Sequence, residues 1–116
     1  MAHHTGSCHC GAVRFAADTE ITQALSCNCS ICHKRGSLLS FMPAASFTLQ
    51  QGEAALTDYQ FNKGIIHHLF CSTCGILPFA RGAMPDGTPM VALNLRCVDG
   101  LDLKTLPVVE YDGASA

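Results

Sequence analysis

Seven of the eight cysteines in this 116-residue chain fall into three short clusters. They are Cys8 and Cys10, then Cys27, Cys29 and Cys32, then Cys71 and Cys74. Thiolates spaced as C-x-C or C-x-x-C can converge on one soft metal ion. Four thiolates close a tetrahedral zinc site, whereas three leave a position open for water or a substrate. The seven thiols therefore divide naturally into a closed set of four and an open set of three, which suggests a structural zinc beside a reactive one.

The alternative for so many cysteines in a small chain is a disulfide framework. Residues 1–5 are too short and too polar for a signal peptide, and no apolar run reaches membrane-spanning length. Disulfides persist in secreted proteins, whereas cytosolic thiols are kept reduced. A disulfide within a C-x-C pair would also close a small, strained ring. We therefore expect a cytoplasmic protein, not bound to a membrane, whose clustered thiols bind metal.

The composition indicates one compact domain over residues 1–116. Hydrophobic residues make up 48% of the chain and charged residues only 14%, which is typical of a globular protein. The formal net charge is −2, and no basic stripe is present. Since nucleic-acid binding depends on clustered lysine and arginine, nucleic acid is not an expected partner.

Alternating apolar and polar residues, separated by turn residues, predict a mainly β fold of hairpins and small antiparallel sheets. Asn62-Lys63-Gly64 predicts the turn of one hairpin. Residues 82–89, rich in proline and glycine, predict a loop, and single helical turns are predicted at 33–35 and 102–106. The predicted strands are 13–17, 37–42, 47–50, 56–61, 65–70, 76–81 and 91–97.

The first and last cysteine clusters resemble each other. Each ends in a glycine, Gly11 or Gly75, which lets the chain turn sharply so that backbone amides face sulfur. The first cluster begins a predicted strand and the last ends one, so pairing of these two strands would bring four thiols together. Spacing alone does not decide the grouping, because a four-thiolate site that uses Cys27 and Cys29 also satisfies the count.

The middle cluster places three thiolates on one short loop. A zinc ion held there with an open position would lower the pKa of a bound thiol or water and so produce a nucleophile at neutral pH. His33, next to Cys32, has three interpretations: ligand, proton shuttle or surface residue. Adjacent residues rarely reach one metal in good geometry, so we favour the last two.

Three other residues with reactive side chains have plainer interpretations. Cys97 lies on the apolar face of the predicted strand 91–97, where a small buried hydrophobic residue is expected. His67 and His68 are neighbours in a predicted strand and point to opposite faces, so at most one of them can face a common site.

Taken together, these motifs resemble the glutathione-dependent formaldehyde-activating enzyme family, the GFA domain. The matching stretches are GSCHCGAVRF at 6–15, CNCSIC at 27–32, FCSTCG at 70–75, NLRCVDG at 94–100 and LPV at 106–108. The resemblance extends over about residues 6–113. It implies a tent-like arrangement of small antiparallel sheets, stapled by a structural zinc.

The resemblance also implies two Zn²⁺ ions per chain and a reaction. Cys8, Cys10, Cys71 and Cys74 match the structural zinc ligands, and Cys27, Cys29 and Cys32 match the catalytic ones. The family's named reaction joins formaldehyde to glutathione and gives S-(hydroxymethyl)glutathione, as a carbon–sulfur lyase. The expected partner is therefore a small-molecule thiol. The candidates for contact with glutathione's carboxylates are Lys34, Arg35, Arg81 and Arg96.

Two other functions fit the same sequence. One is a non-catalytic binding module stabilised by zinc, in which the three-cysteine cluster has lost its use. The other is a thiol-redox or metal-buffering protein, in which that cluster is reversibly oxidised. An open pocket around the three cysteines would favour catalysis, and a buried or metal-free cluster would favour the binding module.

Overall fold

The computed structural model of the protein describes residues 2–61 and 66–112. These residues form ten strands, one α-helix and four 3₁₀ turns. Helix α1 is Ser30–Arg35, and the 3₁₀ turns are Ala44–Ser46, Glu53–Ala55, Leu95–Cys97 and Leu103–Thr105. The strands are β1 (His3–Ser7), β2 (Arg14–Asp18), β3 (Ala24–Cys27), β4 (Leu39–Pro43), β5 (Phe47–Gln51), β6 (Leu56–Tyr59), β7 (His67–Cys71), β8 (Phe79–Ala83), β9 (Pro89–Asn94) and β10 (Val108–Tyr111).

The strands form two sheets. The smaller has the order β1-β2-β5 and the larger the order β10-β3-β4-β9-β8-β7-β6. Neighbouring strands are antiparallel except for β10, which pairs with β3 in parallel. The predicted fold class, mainly β with antiparallel sheets, is confirmed.

The core lies between the two sheets and is centred on three phenylalanine rings. Phe15 and Phe79 are fully buried, at 0% exposure each. Phe15 and Phe47 belong to the smaller sheet, and their ring centroids lie 5.6 Å apart. The ring centroid of Phe47 also lies 4.6 Å from that of Phe79, which belongs to the larger sheet. Such ring pairs stabilise a fold by about 0.5–1.5 kcal/mol beyond the burial of their area. This packing fixes the loops at one end of the smaller sheet against the end of β7.

Most of the predicted strands are present. Strands β6 and β7 pair as the two arms of the predicted hairpin, and its turn at 62–64 lies outside the described residues. The predicted helical turn after Cys32 is part of α1, which ends where Gly36 adopts a left-handed conformation with φ of 68°. The turn predicted at 102–106 is the 3₁₀ turn Leu103–Thr105.

The prediction of a continuous strand over 91–97 is wrong at its end. Strand β9 stops at Asn94, because the side-chain oxygen of Asn94 accepts a hydrogen bond from the backbone N–H of Arg96 at 3.2 Å. That bond starts the 3₁₀ turn Leu95–Cys97. Asparagine side chains compete with strand pairing in this way.

Other boundaries also differ from the predictions. Strand β8 begins at Phe79 instead of 76, after Pro78, which has no N–H to donate to a ladder. Pro43 is the last residue of β4, which begins at Leu39 instead of 37. The predicted loop 82–89 is shorter, since its ends belong to β8 and β9. Strands β1, β3 and β10 were not predicted. No helix in the described ranges is long and apolar enough to cross a membrane.

Candidate metal centre

Four thiols from the first and last clusters converge at one point. Their sulfur atoms all lie within 4.8 Å of one another, and Cys10 lies 3.6 Å from both Cys8 and Cys71. In a tetrahedron with Zn–S bonds of about 2.3 Å, neighbouring sulfurs are about 3.8 Å apart. The four thiols, which include Cys74, therefore have the spacing that one zinc ion requires.

The route by which these thiols meet is not the expected one. Cys8 lies between β1 and β2 of the smaller sheet, whereas Cys71 ends β7 of the larger sheet. The predicted pairing of the flanking strands is therefore wrong, because β2 and β7 belong to different sheets. The clusters therefore meet at the contact between the two sheets.

The segment between β5 and β6 supports both loops of this centre. Gly52 packs against the backbone of Ala12 so closely that a side chain there would overlap it. A few residues later, the carbonyl of Ala55 accepts a hydrogen bond from the N–H of Ser72 at 2.8 Å. Each two-cysteine loop is thereby held by its own backbone contact.

Backbone amides and neighbouring thiols set the acidity of these cysteines. The Ile76 amide is the main cause that lowers the pKa of Cys74 to about 6. At Cys10 the Ala12 amide favours the thiolate, but burial and the thiols of Cys71 and Cys8 outweigh it and raise the pKa to about 11. A divalent cation at the centre would favour the thiolate form of all four cysteines.

The middle cluster forms a separate set of three thiols. Cys27 ends β3, Cys29 directly precedes α1, and Cys32 lies within α1. Their sulfurs also lie within 4.8 Å of one another, and all three residues are half-buried. Within residues 2–61 and 66–112, no fourth histidine, cysteine, aspartate or glutamate joins this set.

The start of α1 carries Cys29 and Cys32, and the backbone N–H of Cys29 donates to the sulfur of Cys27 at 3.5 Å. The carbonyl of Cys29 accepts the N–H of His33 at 2.9 Å, and the carbonyl of Cys32 accepts the N–H of Gly36 at 2.9 Å. Burial and, to a lesser extent, the neighbouring Cys29 thiol raise the pKa of Cys32 to about 12. At Cys29 burial opposes ionisation, but the Cys32 amide and thiol outweigh it and lower the pKa.

The three-thiol set faces an open cleft. The cleft has a volume of about 240 Å³ and lies between α1, β3, β10 and the 3₁₀ turn Leu95–Cys97. Cys27 and Cys32 form part of its wall, and the charged or titratable residues around them are His33, Arg96 and Glu110. A ligand in this cleft can therefore reach the thiols of Cys27 and Cys32 and the charged side chains at once.

The remaining residues singled out from the sequence lie elsewhere or act alone. His33 lines the cleft but does not join the thiol set. Cys97 is half-buried, with its sulfur 3.8 Å from the carbonyl oxygen of Leu77. The Nδ1 atom of His67 lies 2.7 Å from the Oδ2 atom of Asp58. His68 is buried and stacks on Phe61, with ring centroids 5.2 Å apart.

Of the four basic candidates, only Arg96 lines the cleft of the three thiols. Lys34 and Arg35 line a second cleft, beside Tyr59 and Phe61. The guanidinium of Arg81 stacks over Phe47 and Phe79, 5.5 and 5.1 Å from their ring centroids.

Sequence reasoning missed Glu110, because no strand was predicted around it. The run Val108-Val109-Glu110-Tyr111 is rich in β-branched and aromatic residues and could have indicated β10. Its pairing with β3, which brings Glu110 beside Ser26, involves residues far apart in sequence.

Comparison with known proteins shows which family shares this fold and these cysteines. The crystal structure of a Rhodobacter sphaeroides protein superposes with a TM-score of 0.77 at 28% sequence identity, covering 90% of this chain and 99% of that one. The family model described as glutathione-dependent formaldehyde-activating enzyme matches residues 3–111. Since the family model matches nearly the whole chain and the three cysteine clusters assemble into two thiol sets, this protein belongs to the glutathione-dependent formaldehyde-activating enzyme (GFA) family.

Proposed function

We propose that this protein is a zinc-dependent enzyme of the carbon–sulfur lyase class that acts on a small thiol adduct. Glutathione with formaldehyde, giving S-(hydroxymethyl)glutathione, is the candidate reaction. The observation that carries the proposal is the incomplete thiol set beside a cleft. Three sulfurs converge, no fourth ligand from the described residues joins them, and the cleft opens onto two of them.

The two thiol sets have different proposed roles. Cys8 and Cys71 are buried, and their set links the two sheets, which supports a structural zinc there. The three-thiol set is half-buried at a cleft, which supports a catalytic zinc. The proposed ligands are Cys8, Cys10, Cys71 and Cys74 for the structural ion, and Cys27, Cys29 and Cys32 for the catalytic one.

The main task of the protein in this reaction is to position the thiol and the carbonyl compound. The thiolate sulfur bonds to the carbonyl carbon, the π electrons of the C=O bond move to oxygen, and that oxygen takes up a proton. A zinc ion with one open position supplies a Lewis acid for this chemistry. The three cysteines place that position at the wall of the cleft, so a substrate that reaches it must lie between α1 and β10. His33 and Arg96 line the same space.

The cleft also bears on the two alternatives. A binding module with a disused cysteine cluster would not need the cluster to face a cleft, and the structure shows one of about 240 Å³. A thiol-redox role would use the same three sulfurs, so only the experiment below distinguishes it from catalysis. We further propose a cytoplasmic location, where reducing conditions keep the seven clustered thiols available for metal.

The test combines metal analysis with turnover of formaldehyde and glutathione. We expect two zinc ions and activity in the wild type. Cys29→Ala should retain one zinc ion and its fold but lose activity, while the control Cys97→Ala, outside both thiol sets, should retain both ions and activity. One zinc ion and no turnover in the wild type would contradict the proposal. Reversible oxidation of the three thiols without turnover would favour the redox alternative.

A further inference from the structure

We propose that the cleft beside the three thiols recognises an α-amino-acid group on the thiol substrate. Arg96 binds the carboxylate of that group and Glu110 binds its ammonium. The inference rests on the proposed function, since it names the class of thiol that the same site takes.

The side chain of Arg96 is held in place by the backbone around it. The backbone N–H of Arg96 donates to the side-chain oxygen of Asn94 at 3.2 Å. The side-chain Nε of Arg96 donates to the carbonyl of Gly36, just after α1, at 3.2 Å. Arg96 lines the cleft, and among the described residues its terminal guanidinium nitrogens form no hydrogen bond. Across residues 2–61 and 66–112, no carboxylate forms an ion pair with them. A guanidinium held in this way suits the two oxygens of a carboxylate.

Glu110 supplies the opposite charge on the other wall of the cleft. It lies in β10, beside Ser26 of β3 in the parallel pair, and both residues line the cleft. In the part of the chain that the structure describes, no ion pair joins Glu110 to Arg96 or to another cation. One cation and one anion thus face the same small space without neutralising each other.

This arrangement favours a ligand that carries both charges. A zwitterion supplies a partner for Arg96 and for Glu110 together, whereas a ligand with one charge pairs with only one of them. The cleft is small, about 240 Å³, and its wall includes Cys27 and Cys32. A thiol bound near these cysteines therefore brings the rest of its molecule within the reach of both charged residues.

Two kinds of thiol carry this group. A free amino-acid thiol such as cysteine has the zwitterion next to its sulfur, and a γ-glutamyl thiol such as glutathione has it at the far end of the molecule. Both present the same ammonium and carboxylate, so the inference covers the shared chemistry. Separate arms of the experiment distinguish the two.

The experiment measures dissociation constants by calorimetry on the zinc-loaded protein. The first arm compares four small thiols. Cysteine carries both charges, cysteamine carries the ammonium alone, 3-mercaptopropionate carries the carboxylate alone, and 2-mercaptoethanol carries neither. The second arm compares glutathione with N-acetylglutathione, which lacks the ammonium. If the affinity for cysteine depends on Arg96 and Glu110, the site takes free amino-acid thiols. If the affinity for glutathione depends on them, it takes γ-glutamyl thiols.

The variants Arg96→Gln and Glu110→Gln test the assignment of each charge. Arg96→Gln should weaken carboxylate-bearing thiols about 10-fold or more and leave cysteamine within about twofold, as expected for loss of a charge-assisted hydrogen bond. Glu110→Gln should weaken ammonium-bearing thiols and spare 3-mercaptopropionate. Arg96→Lys, which keeps the charge, should recover part of the carboxylate preference. Arg81→Gln and Glu53→Gln, whose side chains lie outside this cleft, are matched controls.

The outcomes separate the inference from the function beneath it. If both variants leave the preference of the wild type unchanged while every thiol still binds, the inference is overturned and the proposed thiol site stands. If no thiol binds, 2-mercaptoethanol included, the proposed function fails and the inference fails with it. Circular dichroism and the zinc content of each variant show whether a loss of binding reflects a loss of the fold.

Discussion

The thiols of Cys10 and Cys71 lie 3.6 Å apart, although 61 positions separate them along the chain. One belongs to a loop of the smaller sheet and the other to the end of β7 in the larger sheet. A metal ion between them would join the two halves of the core directly. The stability of the fold and the occupancy of the four-thiol centre should therefore be coupled.

Cys71→Ser should remove one zinc ion per chain and lower the melting temperature by roughly 10 °C or more. The reason is that metal binding contributes directly to folding when the site exists only in the folded state. Thermal unfolding followed by circular dichroism, together with metal analysis, measures both effects. Cys97→Ser is the matched control, since Cys97 lies outside the four-thiol set. An unchanged zinc content in Cys71→Ser would rule out the assigned ligand role.

Gly6→Ala should destabilise the protein by about 2 kcal/mol or more, as overpacking of a core does. A methyl group at Gly6 would overlap the carbonyl oxygen of Cys97 and the ring of Phe15, which is fully buried. The free energy of unfolding in urea measures the loss. Gly82→Ala is the control: its nearest neighbour would be Ile66 at 3.7 Å, an ordinary contact, so its effect should be small. Equal effects of the two substitutions would contradict this explanation.

Asn94→Ala should cost about 1–3 kcal/mol of stability, because it leaves the buried carbonyl of Leu77 and the partly buried N–H of Arg96 without a partner. Asn94 is 8% exposed, and its side chain donates to the carbonyl of Leu77 at 2.9 Å and accepts from the N–H of Arg96. Loss of the second bond should also loosen the turn that carries Arg96 and weaken binding of carboxylate-bearing thiols.

Urea unfolding and calorimetry test the two effects of Asn94→Ala separately. Gln60→Ala is a suitable control, because the amide of Gln60 bonds only to the exposed carboxylate of Asp58 in the described structure. Such a surface change usually alters stability by less than about 0.5 kcal/mol. A stable Asn94→Ala variant would show that the turn forms without its cap.

Stability should fall in mild acid partly because of His68. Burial lowers the pKa of His68 from its ordinary value of 6.5; the nearby Arg35 lowers it further, Asp58 opposes the shift and His67 adds to it. As the pH drops below about 6.5, the unfolded chain therefore takes up a proton that the folded chain resists. The stability present above pH 6.5 is lost as the pH falls towards the lowered pKa.

The comparison with His68→Gln isolates this contribution. Protonation of zinc ligands also destabilises the protein in acid, but it affects both proteins alike. Urea midpoints at pH 7.5, 6.5 and 5.5 should therefore fall less steeply in His68→Gln than in the wild type. Parallel curves would show that His68 does not titrate on unfolding.

Local patterns predicted much of the fold. Strands β2 and β5 follow from alternating residues whose apolar side chains face the core, and β6 and β7 follow from the hairpin signal at residues 62–64. Gly36 ends α1 as glycine commonly does. The patterns failed where a single side chain overrode them, as when Asn94 turned the chain out of β9. They also failed for strands such as β10, which is exposed throughout and therefore shows no buried face.

The sequence by itself determined which cysteines can act together locally. Residues two or three positions apart, such as Cys27 and Cys29, are held close by the length of the backbone whatever the fold. Only the tertiary structure decided that Cys10 meets Cys71, and that Arg96 and Glu110 share a cleft with the three thiols. These residues lie far apart along the chain, so their distances depend on how the two sheets pack and how β10 pairs with β3. That packing is a property of many side chains together, and no short pattern encodes it.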